Sequence, residues 1–124
     1  MDPERKPVIL VVDDELSLRY LYRETLLLHG YEVLLATTKE EAIRVISTQE
    51  VDGIVCDIQL PGNGVMMYEY LLKKHPEMRG RFIFVTGSVE KKELVERTHN
   101  ATPCLLKPFP MRQLLDAMKT ALAS

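Results

Sequence analysis

Five short apolar runs recur along the chain, and each is followed by a segment with helical spacing: Val8 to Val12, Tyr31 to Ala36, Gly53 to Cys56, Arg81 to Val85, and Pro103 to Leu106. Runs of four to six apolar residues without polar alternation suit strands covered on both faces. In an alternating chain that means a parallel sheet with helices on each side, a doubly wound α/β fold. At 124 residues the chain has room for one such domain and too little for two. We read one domain over residues 1–124, with a core over about residues 7–122 and no output module.

Punctuation places the helices. The first is expected from Leu16 to His29, with Leu18, Leu21, Thr25 and Leu28 as its inner face and Gly30 as a left-handed cap. Thr38 and Glu41 have the spacing of a capping box, opening a second helix that turns Ala42, Val45 and Ile46 inward and ends near Gln49. A third is expected from Val65 to Lys74, stopped before Pro76. The last places Met111, Leu114, Leu115, Met118 and Leu122 on one side. Between them, Val89 to Thr98 offers only Val89, Leu94 and Val95 among many charges, so this fourth helix is expected to pack slightly and to move most easily.

Composition excludes several functions. Lys and Arg total 16 against 18 Asp and Glu, which leaves no cationic excess for counterion release, so direct nucleic-acid binding is not expected. No apolar stretch approaches the roughly 20 residues that span a bilayer, and the polar start is neither a signal peptide nor an anchor; a cytoplasmic location without membrane insertion follows. Cys56 and Cys104 each lie in an apolar run without metal or redox spacing and read as buried thiols.

In an open parallel sheet, sites form outside the carboxyl ends of the strands. The first strand ends in Asp13-Asp14-Glu15, the third in Asp57, the fourth in Thr86-Gly87 and the fifth in Lys107-Pro108. Taken singly, Asp14 is an ordinary helix cap, Asp57 a turn residue, Thr86 a β-branched strand residue and Lys107 a solvated charge. Together they are harder to dismiss, because carboxylates crowded at one sheet edge repel one another and a hard cation is the usual remedy. Oxygen ligands with open water positions suit Mg²⁺ or Mn²⁺. A metal, a lysine and a hydroxyl around a carboxylate supply what phosphoryl transfer needs, with Asp57 as nucleophile and Thr86 registering the phosphoryl group.

Four segments, in this order and spacing, resemble the response-regulator receiver domain of two-component signalling: Val8-Ile9-Leu10-Val11-Val12-Asp13-Asp14-Glu15, Asp57-Ile58-Gln59-Leu60-Pro61-Gly62, Phe84-Val85-Thr86-Gly87 and Leu106-Lys107-Pro108-Phe109. The resemblance implies flavodoxin-like topology with five parallel strands in the order 2-1-3-4-5. It implies Mg²⁺ held by Asp14, Asp57 and the backbone carbonyl of Gln59, with Asp13 acting through water, and a cis Lys107 to Pro108 bond. It further implies phosphoryl groups from a sensor histidine kinase or histidine phosphotransfer domain, catalysis confined to the chain's own phosphorylation and dephosphorylation, and a downstream protein target whose identity is open.

Two departures stand out. The loop Leu60-Pro61-Gly62-Asn63-Gly64 is one residue shorter than is common before the glycine, which alters the metal loop or the start of the third helix. Cys104 stands where the family usually has the tyrosine or phenylalanine whose ring follows the threonine. A thiol cannot fill a ring-sized space, so we expect output by another route, through the loops around Asp57 and Thr86 or the fourth helix. The stretch from Pro103 to Phe109 also resembles receivers of hybrid sensor kinases, where relay needs no large switch.

Three other readings are weaker. A haloacid-dehalogenase-type phosphatase would use Asp13 as nucleophile and Glu15 as acid/base, but after Lys107 the only acidic residue is Asp116, on a helix. A nucleotide or flavin site would need a glycine- or hydroxyl-rich turn where Asp13-Asp14-Glu15 would repel phosphate. A phosphorylation-independent interaction module of the receiver fold is opposed by the intact set Asp13, Asp14, Asp57, Thr86 and Lys107.

Overall fold

Apolar strands and amphipathic helices alternate through the computed structural model, which describes residues 5–60, 63–99 and 102–123. The order is β1 (Val8–Val12), α1 (Leu16–Leu28), β2 (Glu32–Ala36), α2 (Lys39–Thr48), β3 (Gly53–Asp57), α3 (Gly64–Lys74), a 3-10 turn at Pro76–Met78, β4 (Phe82–Thr86), α4 (Val89–Thr98), β5 (Cys104–Leu106) and α5 (Met111–Leu122). All strand pairs are parallel and lie in the order β2-β1-β3-β4-β5, the doubly wound sheet expected from the pattern.

Alternation along the strands divides the core. Ile9, Val11, Val55, Ile83 and Val85 face Tyr22 and Leu26 of α1 and Leu114 and Met118 of α5. Leu10, Val12, Ile54, Cys56, Phe82 and Phe84 face α2, α3 and Val95 of α4. β3 and β4 are buried at every position, as central strands covered twice must be. Edge strand β2 is more open.

The inner face of α1 differs from the expected one. Tyr22 and Leu26 are buried, Leu18 and Thr25 are partly buried, Leu21 is exposed and Leu28 is 83% exposed. The leucine spacing misleads because Tyr22, one turn after Leu18, carries more apolar area and stacks on Phe109 at 6.1 Å. The helix closes as the sequence implies: Gly30 takes φ +89°, and the Tyr31 amide donates to the Leu26 carbonyl at 3.2 Å, a Schellman closure.

At α2 the Thr38 hydroxyl accepts from the Glu41 amide at 3.1 Å, and Glu41 reaches back to the Thr37 amide and hydroxyl. The capping box is therefore displaced by one residue on its return arm. Ala42 and Ile46 are buried there, with Val45 partly so. In α5 the buried residues are Leu114, Met118 and Ala121, with Met111, Leu115 and Leu122 packed at the margin. α4 behaves as its charges imply: Val95 alone is buried, while Val89 and Leu94 are each 54% exposed. Both cysteines are buried and unpaired. Among the described residues no helix is long and apolar enough to cross a membrane.

Candidate functional site

The carboxyl ends of β1, β3, β4 and β5 deliver the chemistry-bearing side chains to one edge of the sheet. Asp57 closes β3 and Thr86 closes β4. Asp13 follows β1, its amide bonded to the Ala36 carbonyl at 3.2 Å. Lys107 follows β5, its amide bonded to the Thr86 carbonyl at 2.7 Å, and its peptide bond to Pro108 is cis.

Asp57 is almost fully buried, and each carboxylate oxygen has a donor: Oδ1 accepts from the Gln59 amide at 2.8 Å and Oδ2 from Lys107 Nζ at 2.8 Å. Asp13 is 1% exposed. Its Oδ1 accepts from the Glu15 amide at 2.9 Å, whereas Oδ2 is buried without a hydrogen bond and lies 3.5 Å from Lys107 Nζ. Asp14 is exposed, yet Asp13, Asp14 and Asp57 each bring a carboxylate oxygen within 4.8 Å of the others'. Buried polar atoms without partners are uncommon and costly. This orphaned oxygen in an all-oxygen acidic set is what a hard divalent cation such as Mg²⁺ would satisfy, so the residues present fit the group.

Titration follows the geometry. Burial raises the Asp13 carboxyl above the usual carboxylate range, only partly offset by the Glu15 amide and the Lys107 charge. Burial works against the Lys107 ammonium, but its bond to Asp57 and the charges of Asp13 and Asp57 outweigh it, so its pKa is raised and it stays charged. Three carboxylates against one ammonium leave the cluster short of positive charge.

After Asp57, α3 begins at Gly64, one residue before the expected Val65. Asn63, at φ +69°, caps the helix with its side-chain oxygen, which accepts from the Val65 and Met66 amides. Gly64 then donates to the Ile58 carbonyl at 3.1 Å, and a Cβ there would lie 2.6 Å from the Asp57 carbonyl oxygen, so only glycine allows this approach. Pro61 and Gly62 lie outside the described residues. Gln59 is exposed and its side-chain oxygen accepts from the Gly87 amide at 3.4 Å, linking the two loops.

Thr86 is fully buried, and its hydroxyl oxygen accepts from the Ser88 amide at 3.1 Å, leaving the proton free to donate. Ser88 in turn caps α4 through its side-chain oxygen and the Lys91 amide at 3.2 Å. Ser88 was not singled out in the sequence, although a serine ahead of a charged helical segment is an ordinary capping signal. Arg19 was also missed; its guanidinium donates to the Asp13 carbonyl at 3.0 Å. At position 104 the thiol is buried and pushed up to about 11 by that burial, against the lowering effect of Lys92, so it is an inert packing group.

With the geometry in hand, comparison with known proteins is specific. The model of the family described as "Response regulator receiver domain" matches residues 9–119. Sporulation initiation phosphotransferase F of Bacillus subtilis is 28% identical over 116 residues, covering 90% of each chain. The receiver domain protein (CheY-like) of Methanospirillum hungatei superposes with a TM-score of 0.82 at 31% identity, over 96% of this chain and 95% of the other. The response regulator TrrA of Thermotoga maritima, crystallised in complex with Mg(2+)-BeF, does so with 0.82 at 29%, over 94% and 99%. The chain spans about half the length or less of several other curated relatives, and 23% of the response regulator FleR of Pseudomonas aeruginosa.

Proposed function

This chain belongs to the response regulator receiver domain family, and from that premise we propose that Asp57 is its phosphoacceptor. The observation that carries the proposal is the Asp57 carboxylate itself: it is buried at a strand end, held by one amide and one ammonium, beside an acidic partner with an unsatisfied oxygen. A carboxylate ordered in this way is a positioned nucleophile rather than a solvated charge.

In the proposed reaction an Asp57 oxygen attacks the phosphorus of a phosphohistidine on a sensor histidine kinase or histidine phosphotransfer domain. The oxygen-phosphorus bond forms as the nitrogen-phosphorus bond breaks, and the imidazole nitrogen keeps the electron pair. Lys107, 2.8 Å from Asp57 Oδ2, moves its donor from that oxygen to an equatorial phosphoryl oxygen. Thr86 donates its free hydroxyl proton to another. Asp13, Asp14, Asp57 and the Gln59 carbonyl would hold Mg²⁺ or Mn²⁺, which when bound supplies the positive charge the cluster lacks. Water later hydrolyses the acyl phosphate, so the signal is transient and no external substrate is turned over. The reading places the chain in the cytoplasm, within reach of its kinase.

Intact mass after incubation with acetyl phosphate tests this without knowledge of the kinase. One labile phosphoryl group gained with Mg²⁺, lost with EDTA and absent from Asp57→Ala is the expected result. No gain in the native chain, with no Mg²⁺ binding by titration, overturns it in favour of a phosphorylation-independent interaction module.

A further inference from the structure

Cys104 removes the ring that this family usually places on β5, but a ring is present on the same side of the sheet. It comes from α3. Tyr68 is 4% exposed. Its ring meets Phe82 edge-on at 4.8 Å, Phe84 at 5.3 Å and His99 at 5.5 Å. Its hydroxyl is hydrogen-bonded to that of Thr102 at 2.9 Å, a buried contact between residues 34 apart. His99 caps the carboxyl end of α4 through its amide and the Val95 carbonyl at 2.6 Å, and its ring nitrogen lies 3.9 Å from Glu69 on α3.

α4 is therefore suspended at two unequal points. Its first turn is tied to the site through Ser88, whose amide donates to the Thr86 hydroxyl and whose side-chain oxygen and carbonyl accept from the amides of Lys91 and Lys92. Its last turn is tied to the core by an aromatic cluster and a buried hydroxyl pair. Between the two, only Val95 is buried, so little resists rotation of the helix once one end is freed.

We infer that Tyr68 is the fixed pivot of α4: when the Thr86 hydroxyl changes its partner, the first turn of the helix is released while Tyr68 holds the last turn and Thr102 in place. The helix then swings about His99, and the groove between α3 and α4, lined by Ile58, Leu60, Met66, Leu94 and Val95, changes width at its site-facing end. For the event that displaces Thr86 the inference rests on the receiver reading; for the pivot it rests on the packing alone.

Amide hydrogen exchange on the full chain separates the two. Thr86→Ala cuts the tie to Ser88 without any phosphoryl chemistry, and should speed exchange at Lys91 and Lys92 about tenfold while His99 changes less than about twofold. Adding Tyr68→Phe, or Thr102→Val from the other side of the same bond, should then speed His99 as well. Equal acceleration at both ends in Thr86→Ala, or no response of His99 to either second change, overturns the pivot. Beryllofluoride with Mg²⁺ should reproduce the Thr86→Ala pattern in the native chain. If the variants behave as stated but beryllofluoride and acetyl phosphate leave Asp57 unmodified, the pivot stands and the receiver reading falls.

Discussion

α4 and α5 both pack against β4, on opposite faces of the sheet, yet they are held very differently. α5 buries Leu114, Met118 and Ala121 against the central strands, and Met118 lies so close to β3 that a Cβ on Gly53 would come within 2.8 Å of its sulfur. α4 buries Val95 and leaves Val89 and Leu94 in solvent. Burial of apolar area sets how firmly a helix is held, and its absence sets what can move at little cost. In this chain the firm helix packs on β3 and β4, the strands that end in Asp57 and Thr86, and the loose one begins just after the hydroxyl that would sense a phosphoryl group.

Substitutions that exchange these characters would break the comparison. Met118→Ala, which opens a cavity between α5 and β3, should have the largest effect, a loss of about 2–5 kcal/mol in denaturant unfolding. Val95→Ala should cost roughly 1.5 kcal/mol, two methylene equivalents of burial, and should speed amide exchange in α4 more than elsewhere. A loss as large as that of Met118→Ala would contradict the weak attachment of α4.

The sheet edge between the helices sharpens the contrast with an effect of opposite sign. Burial raises the Asp13 carboxyl, so the folded chain binds that proton more tightly than the unfolded chain. Stability from this group is therefore present at low pH and is lost as pH rises through the raised value. In metal-free buffer at neutral pH, Asp13→Asn should melt several degrees above the native chain, with the gap closing on acidification. Mg²⁺ should raise the melting temperature of the native chain more than that of the variant. The smallest effect belongs to Leu94→Ala, which should stay within about 0.5 kcal/mol of the native stability because its side chain is already exposed.

Legibility in the sequence followed the range of the interactions. Strand ends could be read because each apolar run is local, and parallel topology then gathers Asp13, Asp57, Thr86 and Lys107 without further information. The face of α1 was misread because leucine spacing hid the larger Tyr22, whose partner Phe109 is far along the chain. The start of α3 at Gly64, one residue before the expected Val65, depends on a positive φ at Asn63 and on backbone contact with Asp57, neither of which composition reveals. Nothing in the sequence around Tyr68 announces its partner Thr102, 34 residues away. Local pattern thus gave away which groups meet at the site, while the couplings that lead away from it depend on side chains distant in sequence.

Identifying the modified residue tests the central claim most directly. Reduction of the acetyl phosphate-treated chain with borohydride converts an aspartyl phosphate to homoserine, and peptide mapping then locates it. Homoserine at position 57, dependent on Mg²⁺ and absent after EDTA, is the predicted result. Homoserine at position 13, or none in a chain that has gained a phosphoryl group, would contradict it.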